Sequence, residues 1–92
     1  MRIIGEIPHP IMKITLFKMD NKLSVKFETG LYEQTFKFRE SNELSDFESI
    51  ERLVDERFMA EVMEQFSKLH SAKNEALGRF LPKVVQEFEE II

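Results

Sequence analysis

The sequence predicts an α+β fold, in which an antiparallel meander of three to four strands is followed by C-terminal helices packed on one of its faces. Two observations carry this prediction. Residues 1–40 contain stretches in which apolar and polar residues alternate, whereas residues 41–92 carry apolar residues at the three- and four-residue spacing of an amphipathic helix. The 92 residues, 42% of them hydrophobic, are enough for a single domain over residues 1–92 with one modest core.

The predicted strands are joined by two tight turns. Residues 22–28 read Lys-Leu-Ser-Val-Lys-Phe-Glu, and this strict alternation predicts a strand with one buried face. Residues 12–19 lead into it through Asp20-Asn21, which tolerates the positive φ of a hairpin turn, and residues 31–39 leave it through Thr29-Gly30. The predicted apolar face consists of Ile14, Leu16, Leu23, Val25, Phe27, Tyr32, Phe36 and Phe38.

A further strand is predicted for residues 2–7, and two prolines end it. Pro8 and Pro10 each fix their own φ and lack a backbone donor, so the strand does not continue through them. The residue between them, His9, is expected in a rigid, extended connector. A rigid loop is able to present an imidazole for chemistry, but an exposed connector residue is the more common role for such a histidine.

The second half of the chain contains helix-capping signals. Ser45-Asp46-Phe47-Glu48 has the form of a capping box ahead of a first helix, and Asp55 is placed to cap a second, longer one. Pro82 interrupts the long apolar spacing because proline removes a backbone hydrogen bond and clashes with the preceding turn. We therefore predict a kink or a break near residues 78–82.

The second helix is predicted to be too long for the sheet. A continuous helix over residues 56–91 would extend about 54 Å, whereas a strand of seven or eight residues covers about 25 Å. The end of the apolar stripe must then fold back or become buried against another chain. The candidate oligomer interface consists of Phe80, Leu81, Val84, Val85, Phe88, Ile91 and Ile92.

The outer face of the predicted sheet is basic. The net charge of −4 divides into +2 for residues 1–40 and −6 for residues 41–92. The register pairs Lys13 with Glu28 and Lys26 with Glu33, the arrangement of an ordinary solvated face. Basic side chains around an exposed aromatic also suit single-stranded bases that stack on a sheet. The candidate nucleic-acid face consists of Lys13, Phe17, Lys22, Lys26, Lys37 and Arg39.

The sequence contains no recognisable catalytic, cofactor-binding or metal-binding motif. It has no cysteine and only two histidines, His9 and His70, so thiolate sites and His/Cys metal sites are excluded. Three glycines do not make a phosphate loop, and no serine lies in a nucleophile elbow. We therefore expect no cofactor, no metal and no enzyme. We find no signal-peptide pattern and no apolar run of roughly 20 residues, and expect a cytoplasmic protein without a membrane partner.

Three segments resemble a group of short proteins from Bacteroidetes. They are Ile-Gly-Glu-Ile-Pro-His-Pro at residues 4–10, Lys-Ile-Thr at 13–15 and Glu-Gln-Thr-Phe-Lys at 33–37. The resemblance covers roughly the first forty residues and implies a shared fold without supplying a function. The order of strands followed by a helix is also similar to single-strand-binding folds of the Whirly and PUR types, although fold order does not fix function.

Two functions follow as predictions. The leading one is a non-catalytic binding or assembly module that acts as a homo-oligomer, with a dimer favoured and a further protein partner allowed. The alternative is single-stranded nucleic-acid binding through the outer face of the sheet.

Overall fold

The computed structural model of the protein describes residues 2–81. Its elements in chain order are β1 (Arg2–Ile7), β2 (Lys13–Met19), β3 (Lys22–Thr29), β4 (Tyr32–Arg39), α1 (Phe47–Leu53) and α2 (Glu56–Phe80). The strands form one antiparallel sheet in the order β1-β2-β3-β4, so each strand pairs with its neighbour in the chain. The α+β architecture with a β-meander followed by helices is therefore confirmed.

The first hairpin has the predicted register, and the second is shifted by two residues. Asp20-Asn21 forms the first turn as predicted, but the second turn is Gly30-Leu31 and not Thr29-Gly30. In both hairpins the first loop residue has a positive φ, 54° at Asp20 and 57° at Gly30. Glycine adopts this conformation freely and a β-branched threonine does not, which explains the shift. A shift of two residues leaves every side chain on its predicted face.

The core lies between the inner face of the sheet and the helices. Phe27 is fully buried at its centre, with its ring edge-on to those of Phe36 and Phe58 at centroid distances of 5.8 and 5.5 Å. Tyr32, Phe36 and Phe38 are only partly buried, because they belong to the edge strand β4. The buried apolar residues are Met12, Ile14, Leu16, Leu23, Val25, Phe27, Ile50, Val54, Val62 and Phe66.

α1 lies against β1 at a glycine. The register of β1 shifts between Ile3 and Gly5, and Gly5 then pairs with Leu16 on the inner side of β2. A Cβ atom at Gly5 would lie 2.5 Å from Cδ2 of Phe47 and closer still to Cε2. Only glycine therefore allows the Phe47 ring to approach the strand backbone this closely.

Each helix begins after an aspartate. Asp55 caps α2 as predicted, since its Oδ1 accepts the N–H of Phe58 at 2.8 Å. The predicted cap of α1 is wrong by one residue: the N-cap is Asp46, whose Oδ1 accepts the N–H of Ser49 at 2.9 Å. Ser49 Oγ accepts the N–H of Asp46 in return, at 3.1 Å. The capping box is therefore Asp-x-x-Ser, one residue later than the Ser-x-x-Glu pattern that the sequence suggested.

α2 runs along β4 in the opposite direction and continues past the end of the sheet. Three contacts trace its path: Phe58 on Phe36 (ring centroids 5.1 Å apart), the amide of Gln34 on the carbonyl of Val62 (3.0 Å), and His70 on Tyr32 (2.8 Å). As α2 advances, its partners on β4 lie progressively nearer the Gly30-Leu31 turn. The turns of α2 after His70 therefore project beyond that end of the sheet.

Candidate interaction surfaces

The projecting part of α2 carries exposed apolar side chains on the side of the helix that faces the sheet. We call this set the distal stripe; it consists of Leu69, Ala76, Leu77 and Phe80. The spacing of three and four residues runs from Val62 and Phe66, which are buried against the sheet, to Leu69, then through the charged Lys73 to the last three members of the stripe. Leu69, Leu77 and Phe80 are 39%, 42% and 81% exposed. Within residues 2–81 the distal stripe thus extends the apolar side of α2, interrupted at Lys73, without the burial of a core face.

A hydrogen-bonded group holds α2 to β4 where the helix leaves the sheet. The hydroxyl of Tyr32 lies 2.8 Å from Nδ1 of His70, and the Asn74 side-chain nitrogen lies 3.0 Å from Nε2. An amide nitrogen only donates, so Nε2 accepts, and in the neutral ring Nδ1 carries the proton that bonds to Tyr32. The Lys73 ammonium lies 5.1 Å from the centre of the Tyr32 ring. These contacts fix the direction in which the distal stripe projects.

An open groove lies beside the part of α2, near His70, where the helix leaves the sheet; we call this part the root of the projecting helix. It has a volume of about 490 Å³ and separates α2 from the turn between β3 and β4. Leu31 belongs to this turn and is 85% exposed. The groove is lined by Thr29, Gly30, Tyr32, Met63, Phe66, Ser67, His70 and Ser71. An apolar floor, an exposed leucine and the distal stripe therefore occur at the same end of the molecule.

The predicted oligomer interface overlaps this surface at one end. Phe80 is the most exposed residue of the distal stripe, and Leu81, which follows α2, is partly buried. The remaining predicted interface residues, Val84, Val85, Phe88, Ile91 and Ile92, lie outside the described residues, as does Pro82 and with it part of the predicted break. α2 itself continues through Gly78 and ends at Phe80. The sequence prediction omitted Leu69 and Leu77, although their spacing from Phe66 and Phe80 placed them on the same side of the helix.

The sheet brings the predicted basic residues to its outer face in cross-strand rows. Three of these rows are Phe17–Ser24–Lys37, Thr15–Lys26–Thr35 and Lys13–Glu28–Glu33, and Met19, Lys22 and Arg39 form a fourth. Thr15 and Ser24 are buried between longer neighbours, whereas Lys13, Lys22, Lys37 and Arg39 are exposed. All six residues of the predicted face therefore lie on one side of the sheet, spread over its full length.

The charges on this face are not distributed evenly. Glu28 lies directly opposite Glu33, and Lys26 contacts both, with its Nζ 3.7 Å from Glu28 and 3.3 Å from Glu33. Lys22 lies directly opposite Arg39 at the other end of the sheet. Lys18 does bind Glu40, at 3.0 Å, but it pairs with Leu23 and so belongs to the inner side. Lys26 thus offsets one of the two negative charges at the acidic end of the outer face.

His9 has a structural role that the sequence did not indicate. Its Nδ1 accepts the backbone N–H groups of Ile11 and Met12, both at 3.1 Å, and closes a bend after Pro10. The prolines do end β1, but the connector is bent by His9 and is not simply extended. An open groove of about 450 Å³ surrounds this loop, with Glu6 at its edge. Since Nδ1 already accepts two N–H groups, Nε2 is the ring nitrogen left for another partner.

The remaining polar groups form no assembled centre in the described part of the chain. No group of three or more His, Asp or Glu side chains among residues 2–81 is arranged to hold a metal ion. The hydrogen bond from the backbone of Ser49 is the main cause that lowers the pKa of Asp46 below its ordinary value of 3.8, and this carboxylate caps a helix. None of the described helices combines the length and the apolar character needed to cross a bilayer.

Comparison with protein-family models, with curated proteins and with solved structures finds no match to this chain. The resemblance of residues 4–37 to the Bacteroidetes group stays a prediction.

Proposed function

We propose that this protein is an assembly module that associates with a second copy of itself through the distal stripe of α2. The observation that carries the proposal is the continuation of a core-type apolar face beyond the end of the sheet, where Leu77 and Phe80 are 42% and 81% exposed. Burial of apolar area stabilises an interface by roughly 25 cal/mol per Å². The projecting part of α2 is held at one end by the contact of His70 with Tyr32, and its apolar side chains gain this free energy of burial when a partner covers them.

A second copy is the partner that matches this surface best. Two projecting helices related by a two-fold axis present the same stripe to each other, which is the usual geometry of a homodimer. Antiparallel packing places the tip of each helix, at Phe80, toward the root of the other, beside its groove and Leu31. The groove floor at Met63 and Phe66 is the apolar surface nearest that root.

The size of the surface sets limits on the interface. From Leu69 to Phe80 the distal stripe extends about 17 Å at 1.5 Å per residue. A stable interface usually buries about 800 Å² on each partner, more than this length of one helix face supplies. The contact must therefore include the groove and Leu31, and we expect an association that depends visibly on protein concentration.

Charge substitutions test the proposal. Leu77→Glu and Phe80→Glu place a carboxylate in the distal stripe, and we expect each to shift sedimentation velocity profiles from dimer to monomer. Both side chains are substantially exposed, so the fold of the single chain should persist in far-UV circular dichroism. Gly78→Glu is the matched control, because it adds the same charge next to Leu77 but on the opposite side of α2, where a new side chain meets nothing within 4 Å.

Two results would contradict this proposal. The first is a mass of 10.9 kDa for the unmodified protein across the micromolar range, which is the mass of one chain. The second is an oligomer that survives both stripe substitutions or is equally weakened by the Gly78→Glu control.

A further inference from the structure

The outer face of the sheet contains one group of cations that form no ion pair within residues 2–81. Like charges directly opposite each other in a sheet destabilise it, with Cα atoms only about 4.5–5.5 Å apart. The chain compensates the Glu28–Glu33 pair with Lys26. Among residues 2–81, Lys22 and Arg39 have no carboxylate that contacts them in this way.

A third cation lies beside that pair. Lys37 is two residues from Arg39 on β4 and diagonal to Lys22, so three positive side chains surround one corner of the outer face. All three are exposed, and none forms an ion pair within residues 2–81. Two carboxylates are near in the chain: Glu40 is bonded to Lys18, and Asp20 lies in the adjacent turn.

An aromatic ring adjoins this basic corner. Phe17 lies in the same cross-strand row as Lys37, separated from it only by the small side chain of Ser24. The ring and Lys37 line a shallow groove of about 310 Å³ together with Lys26, Glu33 and Thr35. Glu33 is the one acidic group that lines the groove, and it lies 3.3 Å from Nζ of Lys26, which it shares with Glu28. Phe17 is partly buried and not exposed as the sequence suggested. The part of its ring that lines the groove lies next to cations without an ion pair within residues 2–81, so a planar, negatively charged ligand in the groove contacts both.

We propose that this corner binds single-stranded nucleic acid, with Lys22, Lys37 and Arg39 on the phosphates and Phe17 against a base. Charge complementarity selects a polyanion, since three neighbouring cations on β3 and β4 suit more than one phosphate. The ring next to them selects a strand with unpaired bases, because a base stacks on an aromatic face only when its own face is free. The corner lies at the Asp20-Asn21 end of the sheet, on the face opposite α2, so self-association through the distal stripe leaves it accessible.

The salt dependence of binding gives the first test. The probe is a dye-labelled oligothymidylate of fifteen nucleotides, and the readout is fluorescence anisotropy. Three phosphate contacts predict a slope of about −2 for log K against log salt, which is an approximately 20-fold loss of affinity between 50 and 200 mM. Absence of binding at 10 mM salt overturns the proposal. Equal binding of polyglutamate or of anionic vesicles also overturns it, because the surface would then select charge alone.

Variants locate the site on the face. Lys37→Gln and Arg39→Gln should each weaken binding and make the slope shallower by about 0.7. Lys13→Gln is the control, since it removes the same charge from the other end of the same face. Phe17→Leu should weaken binding about 5- to 150-fold and Phe17→Tyr should preserve it. Thermal melting of each variant separates lost binding from lost folding. An equal loss in Lys13→Gln, or equal binding by Phe17→Leu and the wild type in a folded protein, contradicts the assignment.

Discussion

Replacement of Gly5 by alanine probes how the helices are held on the sheet. The Phe47 ring at the start of α1 lies over the backbone of β1, and the new Cβ would come within 2.5 Å of Cδ2 of that ring. Carbon atoms in good contact are about 3.5–4.0 Å apart, so the ring must move by an ångström or more. Because Phe47 is packed at the margin of the core, α1 has to move with it or the ring has to leave its position.

The expected cost is the balance of two effects. Overpacking of this kind costs about 1–3 kcal/mol. Glycine within a strand is itself unfavourable relative to alanine by roughly 0.5–1 kcal/mol, which offsets part of that cost. We therefore expect Gly5→Ala to lower the free energy of unfolding by about 0–2.5 kcal/mol.

Urea denaturation followed by far-UV circular dichroism measures this change. Gly78→Ala is the matched control, since nothing lies within 4 Å of its Cβ position and it should stabilise α2 by up to about 1 kcal/mol. A double-mutant cycle with Phe47→Ala isolates the contact: without the ring, Gly5→Ala should become neutral or stabilising. If Gly5→Ala destabilises equally with and without the Phe47 ring, the close approach is not the reason for the glycine.

Three further substitutions test the core, the cap of α1 and the loop after β1. Phe27→Ala should cost about 3–5 kcal/mol in urea denaturation, because a fully buried ring between two others is lost; a cost below 1 kcal/mol would contradict the core assignment. The pKa of Asp46 is lowered in the folded protein, so this carboxylate stabilises the fold above about pH 3.8, and the stabilisation is lost as the pH falls through the lower folded-state pKa. Asp46→Asn should therefore lose less stability in acid than the wild type does. An identical loss in the two proteins would contradict this role. His9→Ala removes the acceptor of two backbone N–H groups and should lower stability by about 1 kcal/mol, whereas His9→Asn should retain most of the wild-type stability. Equal stability of all three proteins in thermal melting would rule out the bend as a stabilising feature.

Most of the fold follows from local patterns in the sequence. Alternation specifies which side chains of β2, β3 and β4 face inward, and this result survives the shift of the second hairpin because the shift is an even number of residues. Gly30 is the signal for the shift, because glycine most readily adopts the positive φ that the first loop residue has in both hairpins. The cap of α1 was less accessible, because Ser45, Asp46 and Ser49 all have capping side chains and only their geometry distinguishes them.

The candidate surfaces depend on tertiary relations that no local pattern contains. Helix periodicity identifies the apolar side of α2, but the residue at which that side loses its cover depends on where Tyr32 meets His70. Residue composition likewise suggests a basic outer face, whereas the neutralisation of Lys26 and the isolation of Lys22 and Arg39 depend on register. His9 was predicted as an exposed residue because nothing in Pro-His-Pro indicates that the ring accepts two backbone hydrogen bonds.

Self-association through the distal stripe is tested most directly by a distance between two chains. The protein has no cysteine, so a nitroxide on Gly78→Cys labels each chain once, and any dipolar coupling in double electron–electron resonance arises between chains. Packed helices lie about 8–10 Å apart, and with labels on their outer sides we expect a distance of about 20–40 Å. The signal should disappear when Phe80→Glu is added. Absence of dipolar modulation at high micromolar concentration, or a distance that is unchanged by Phe80→Glu, would contradict the proposed assembly.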